Sequence, residues 1–149
     1  MRIARCFAFV GSYLHLDVHF AFGNFIRDGL KNGSLDIQGE GTAQRSYLYA
    51  NDLAIRLCTI FFIGRSCCSF IVGCDESLSI AEIGKRVAEQ FTVQLIPEIH
   101  GTSNSTMMRE RYFPYTQRTK SVLGVAMLIN LPTRIRNTLK FSSNGGLCQ

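Results

Sequence analysis

Residues Arg2 to Val10 read as one apolar strand, rich in Ile, Phe and Val, and closed by Gly11-Ser12. A strand of this composition is expected to be buried on both faces and to need a neighbour on each edge. Only a few short strands follow it in the sequence. That mismatch is the tightest constraint on the fold: this strand is at odds with a self-contained domain.

The rest of the chain interleaves short strands with helices. Apolar residues at helical spacing predict a helix from about His19 to Lys31, closed by Asn32-Gly33. Short strands are expected at Leu35–Ile37 and Arg45–Tyr49, on either side of a Gly39-Glu40-Gly41 turn. A second helix over Asn51–Phe62 should pack through Leu53, Ala54, Leu57, Ile60 and Phe61. A buried strand follows at Phe70–Val72.

Ser79 and Glu82 form a capping box that starts a helix running to about Phe91. Val93–Ile96 reads as a strand stopped by Pro97, and residues 98–110 as a polar loop. A short helix over Gln117–Leu123 ends at Gly124. A last helix, opening near Pro132, runs to about Phe141. The final residues are expected to fray.

Composition narrows the function classes. The chain has 149 residues, is 46% hydrophobic and carries a net charge of +5, which fits a folded domain with a mildly basic surface. The arginines are scattered singly, so no nucleic-acid partner is expected. The most apolar stretch, Leu53 to Gly64, contains Arg56 and is too short for a bilayer, so no membrane partner is expected either. The six cysteines, with no secretory signal, read as reduced and mostly buried thiols of a cytoplasmic protein. Cys67, Cys68 and Cys74 lack metal-ligand spacing, and His15 and His19 lie in an irregular stretch, so no metal site is expected.

Four motifs, in order, carry a resemblance. Arg5-Cys-Phe-Ala-Phe-Val-Gly11 resembles the Arg-x-x-Asn-x-Tyr/Val-Gly-Pro stretch of the extended short-chain dehydrogenases, the NAD-dependent epimerase/dehydratase family. Gly39-Glu-Gly41 with Arg45-Ser-Tyr-Leu-Tyr-Ala-Asn-Asp-Leu-Ala54 resembles its Gly-x-Gly and Arg-x-aromatic-x-aromatic-x-x-Asp-x-Ala segment. Phe70-Ile-Val-Gly73 with Ser79-Ile-Ala-Glu-Ile83 resembles its Tyr-Asn-Val-Gly strand and the helix after it. Arg111-Tyr-Phe-Pro with Thr116 to Gly124 resembles the late segment bearing a second nucleotide-facing Arg.

The resemblance implies an α/β fold: the carboxy-terminal, substrate-binding subdomain of such an enzyme, plus the last strand of an incomplete Rossmann sheet. Residues 1–12 would be the remnant strand, 13–141 the substrate-binding subdomain and 142–149 a disordered tail. It implies a nucleotide-sugar ligand, with Arg45, Arg111, Ala8, Gly39 and Tyr47 as substrate-binding positions. Arg109 stands close enough to Arg111 to compete for the second role. Asp52 is read as stabilising the start of its helix rather than as catalytic.

Departures are as informative. Ala8, Ser12, Ile71 and Tyr115 stand where the family has Asn, Pro, Asn and Asp. The family binds NAD, yet the Gly-x-x-Gly-x-x-Gly fingerprint is absent, and none of Tyr13, Tyr47, Tyr49, Tyr112 and Tyr115 has a Lys four residues on. No catalytic or NAD-binding residue is therefore expected in this chain alone. Three readings stay open: a truncated, inactive enzyme part; a substrate-lid subunit completing a separate Rossmann chain, or a homodimer; and a non-functional product.

Overall fold

The computed structural model describes all residues except 14–15, 17–19, 32, 94, 102–109 and 144–149. The opening stretch forms two strands rather than one: β1 (Ile3–Cys6) and β2 (Phe9–Val10). β1 pairs in parallel with β6 (Ser69–Val72), and β2 pairs in parallel with β5 (Leu48–Tyr49). The expectation of one strand buried on both faces is corrected here. β1 is largely exposed, and Ile3 and Phe9 keep 44% and 46% of their surface. β1–β6 is a two-stranded sheet, so each strand leaves one edge unpaired among the described residues. The expectation of neighbours on both edges goes unmet for the same reason.

Two further sheets complete the architecture. β3 (Leu35–Ile37) pairs in parallel with β8 (Pro97–Ile99). β4 (Gln44–Arg45) lies between β7 (Leu78–Ser79), antiparallel to it, and β9 (Arg111–Tyr112), parallel to it. The expected continuous strand Arg45–Tyr49 is thus split between two sheets, with buried Ser46 and Tyr47 at the crossing. The expected strand Val93–Ile96 is displaced. Val93 and Ile96 are about 70% exposed, and Pro97 opens β8 instead of closing its predecessor. A first strand residue is one place where a missing N–H costs no ladder bond.

Helices α1 (Ala21–Lys31), α3 (Ile80–Ala88) and α5 (Leu131–Ser143) enclose the larger core with β3 and β5. Phe22, Phe25 and Ile26 of α1 meet Ile83 and Val87 of α3 there, as helical spacing predicts. α3 opens with the capping box: Ser79 Oγ accepts from Glu82 N at 3.2 Å, and Glu82 Oε2 accepts from Ser79 N at 2.8 Å. It ends before Phe91, because Gln90 N and Phe91 N reach back only three residues, to Val87 and Ala88. Gly41, at φ +69°, makes the turn whose carbonyl receives Ala81 N at 3.0 Å and seats the start of α3. Gly33 also has positive φ, at +66°, and follows α1 as expected, while Asn32 lies outside the described residues.

Helix α2 (Ala50–Ile63) is turned differently from expectation. Its buried face is Asp52, Arg56 and Ile60, one residue per turn. Ala54, Leu57 and Phe61, expected to face the core, are exposed, together with Ile55, Phe62 and Ile63. A second core beneath α2 joins Leu48, Ile60, Phe70, Val72, Cys74 and Leu123, with Leu53 partly buried against it. α4 (Gln117–Leu123) closes that core and ends at Gly124 in the left-handed conformation, φ 63°. No described helix is long and apolar enough to cross a membrane.

The expectation of mostly buried thiols is overturned for the described cysteines. Cys6, Cys58 and Cys67 are exposed, Cys68 is intermediate and Cys74 is buried. The reason for Cys58 is the orientation of α2. Cys67 sits in a turn at φ 56°. His15, His19, Arg109 and Cys148 lie outside the described residues.

Candidate functional site

Two of the sequence-predicted positions, Ala8 and Gly39, line cavities, and the two cavities are separate. The first, about 510 Å³, is lined by Phe7, Ala8, Phe9, Phe20, Asn51 and Tyr112, among others. Ala8 sits at the end of the β1–β2 connection, 7% exposed, and its carbonyl accepts from Leu48 N at 3.0 Å. The Phe7 and Tyr112 rings meet at 5.2 Å between centroids. Gly11 lets this segment approach α2: a Cβ there would lie 2.7 Å from the Ala50 Cβ. The walls are mostly apolar and rich in aromatic rings, with the Asn51 amide and the Ser12 hydroxyl among the polar groups.

The second cavity, about 400 Å³, is lined by Gly39 together with Asp36, Glu40, Glu110, Asn24 and Thr42. A Cβ at Gly39 would meet nothing within 4 Å, so no close backbone approach demands glycine there. Arg45 lies beside this cavity through its partner. Its Nη2 is 2.8 Å from Glu110 Oε2, and its Nη1 donates to Gln44 O at 3.0 Å. Arg45 is one-fifth exposed and Glu110 mostly exposed, so the guanidinium is held by a solvent-facing carboxylate. Arg111 is exposed on β9, one residue out of register with Arg45: Arg111 pairs with Gln44, and Arg45 with Tyr112. The two arginines therefore sit on neighbouring strands.

Tyr47 lines neither cavity. It is buried in the larger core at 5% exposure, against Phe22 at 5.5 Å and Phe20 at 6.5 Å between ring centroids. Burial pushes its phenol above the ordinary value; the Arg45 charge and a Phe22 backbone contact pull the other way.

Buried charge was not anticipated. Arg134 of α5, 1% exposed, donates from Nη1 to Tyr47 O at 2.9 Å and from Nε to Ile129 O at 2.8 Å. Asp52, 2% exposed, accepts from Leu128 N and Ile129 N at 3.2 and 3.3 Å. It is a tether for the segment before α5 as well as a first-turn acid of α2. Asp75 supplies from a distance the cap that Tyr115 does not. Its carboxylate accepts from the Thr116 N–H at 3.0 Å, from the Thr116 hydroxyl and from Lys120 Nζ. The only sequence signal for these contacts was polar residues at helical spacing.

Burial pushes the Asp75 carboxyl up, but the Lys120 and Thr116 donors outweigh it and hold the group below its ordinary value. Its stabilising contribution is complete above the unfolded carboxylate pKa and is lost as pH falls through the lowered folded one. Asp75→Asn should therefore weaken the chain at neutral pH and flatten its acid unfolding profile, followed by circular dichroism. An unchanged profile would remove Asp75 from that role.

The strand-to-helix junctions bear on cofactor binding. A dinucleotide's pyrophosphate needs free N–H groups at a glycine-lined helix start. α2 begins directly after β5 at Tyr49-Ala50, with no glycine between. The start of α3 is already capped by Ser79 and Glu82. Neither junction fits NAD. Among the described residues Cys74 is buried against Met127 and Arg134, while Cys67 is exposed.

No family model matches the chain. Relatives and solved structures do. The chain is 26% identical over 147 residues to UDP-glucuronic acid decarboxylase 1 of Danio rerio, covering 96% of this chain and 34% of that protein. It is 26% identical over 125 residues to UDP-glucuronic acid decarboxylase 3 of Arabidopsis thaliana, covering 83% and 35%. Among solved structures, UDP-glucose 4-epimerase of Thermotoga maritima, with UDP-glucose, superposes with a TM-score of 0.83 at 15% identity, over 97% of this chain and 46% of that one. UDP-glucuronic acid 4-epimerase of Bacillus cereus, in complex with NAD and a fluorinated UDP-sugar, gives 0.80 at 16% identity, over 96% and 45%.

The chain shares the mixed α/β fold of these NAD-dependent sugar epimerases over under half of their length. The chain spans about a third of the length of the curated relatives it matches and under half of the solved structures. The expected α/β class and family resemblance hold. In that family's terms, β1 and β2 carry the Arg5 to Gly11 motif, β4 and β5 the Arg45 motif, and β6 with α3 the Phe70 to Ile83 motif.

Proposed function

We propose that this chain is the nucleotide-sugar-binding region of an NAD-dependent epimerase/dehydratase-type protein, and that these 149 residues do not transfer hydride by themselves. One observation carries the reading. The match runs over 94–97% of the chain in the solved structures compared, including proteins in complex with UDP-sugars, while neither helix start fits a dinucleotide.

Within this proposal residues 1–12 belong with the nucleotide-binding half and residues 13–143 form the substrate-binding subdomain, two residues longer than expected because α5 runs to Ser143. Arg45 is the leading ligand contact, since a guanidinium can hold a diphosphate through two parallel donors. A ligand would exchange places with Glu110. Arg111, Gly39 and Ala8 complete the proposed contacts, and Tyr47 contributes by supporting β5 from the core. A cytoplasmic location rests on the unpaired thiols.

The test is thermal shift on the purified chain. UDP-glucuronic acid should raise the melting temperature and NAD alone should not; a clear shift with NAD alone would falsify the reading. Arg45→Ala should weaken UDP-glucuronic acid binding by about 2 kcal/mol, a loss of charge-assisted hydrogen bonds. An unchanged affinity would take Arg45 out of the site.

A second reading is favoured by a specific observation: the chain completes a separate Rossmann-type chain and serves as its substrate lid. β1 pairs in parallel with β6 and is itself largely exposed, and α2 presents Ile55, Leu57, Phe61, Phe62 and Ile63 to solvent. Parallel strands are normally covered on both faces, and contiguous apolar patches mark interaction surfaces.

A further inference from the structure

Strands β3 and β8 pair so that Asp36 lies directly beside Glu98. Like charges directly opposite one another on neighbouring strands repel and weaken the pair. His100 stands two residues beyond Glu98, so strand alternation places it on the same face. Its backbone N–H extends the ladder, donating to Ile37 O at 3.0 Å. Two carboxylates and an imidazole therefore converge from two strands.

Their spacing is informative. One ligand atom from each of Asp36, Glu98 and His100 lies within 4.8 Å of the other two. His100 Nε2 stands 3.5 Å from Asp36 Oδ1, beyond the usual length of an N–H···O hydrogen bond. Ligands about 2.1 Å from a tetrahedral ion are separated by about 3.4 Å. The Asp36–His100 separation thus fits two ligands of one shared ion as well as the direct ion pair that a protonated imidazole would make.

We propose that Asp36, Glu98 and His100 bind a divalent transition-metal ion of the Zn²⁺ or Co²⁺ class, which ties β3 to β8. The ion would balance two adjacent negative charges that otherwise oppose the strand pairing. One imidazole with two carboxylates suits borderline ions more than Ca²⁺ or Mg²⁺, which prefer all-oxygen shells. The side chains of His100 and Asp36 are 50% and 39% exposed, so water completes the coordination. The cluster borders the cavity at Gly39, because Asp36 lines that cavity as well.

The exposed thiols Cys6, Cys58 and Cys67 take the same ions, so the test must separate them. The full chain is titrated with Co²⁺ and followed by absorption. The expected result is one equivalent bound with visible d–d bands and no thiolate-to-metal charge-transfer band. His100→Ala and Glu98→Gln should each weaken that binding at least tenfold, with an unchanged far-UV circular dichroism spectrum. Absence of saturable uptake overturns the proposal. So does uptake that carries thiolate charge-transfer bands, or that both variants leave unchanged. Should one variant fail to fold, the other decides.

Discussion

Arg134→Met is expected to cost the chain about 3 kcal/mol or more of stability, the sum of two abandoned carbonyls and a lost buried contact network. Arg134 is 1% exposed and joins three segments that the sequence separates widely. Its Nη1 holds Tyr47 O of the segment entering β5, and its Nε holds Ile129 O before α5. Cys74 Sγ lies 3.5 Å away, and the partly exposed Glu76 carboxylate 3.7 Å away. The Glu76 pair contributes little, because one partner is solvated. The carbonyls matter more: methionine fills the volume but donates nothing to them. Urea unfolding monitored by circular dichroism measures the loss. A change within about 1 kcal/mol, the ordinary range for unremarkable substitutions, would show that water replaces the guanidinium. Arg134→Lys keeps the charge but lacks the planar fork, so it should recover only part of the difference.

That network explains much of what the sequence concealed. Signals confined to a few neighbouring residues were readable. The Ser79–Glu82 box, the glycine ends of α1 and α4, and the apolar face of α1 all appear where local chemistry places them. Two-residue strands such as β7 and β9 were not readable, since two residues carry no period. Nor was the orientation of α2. Apolar side chains surround this helix on nearly every side, so periodicity could not choose a face. The buried face is the one with Asp52 and Arg56 on it, because Asp52 finds two backbone donors 76 and 77 residues away.

The candidate site divides in the same way. Ala8 and Gly39 were found through motifs, yet they line different cavities. The partner of Arg45, Glu110, comes from the far end of a polar segment, a pairing across 65 positions that no local pattern announces. The Asp36, Glu98 and His100 cluster depends on the β3–β8 register, which an expected strand ending before Pro97 hides.

Arg56→Met should have the opposite sign from Arg134→Met and stabilise the chain by about 1–2 kcal/mol. Both arginines are 1% exposed, so burial alone does not distinguish them. Their partners do. Arg56 donates from Nη1 to Gly73 O at 2.5 Å, while its Nε and Nη2 have no hydrogen-bond partner among the described residues. A buried guanidinium with two unsatisfied nitrogens carries the desolvation cost of the charge and recovers little of it. Methionine gives up one hydrogen bond to Gly73 O and removes the buried charge, in a core already lined by Leu48, Phe70 and Val72. The two variants form a matched experiment: the same substitution, the same burial and opposite expected directions. If Arg56→Met instead destabilises as strongly as Arg134→Met, an unseen anion or water must complete the Arg56 shell.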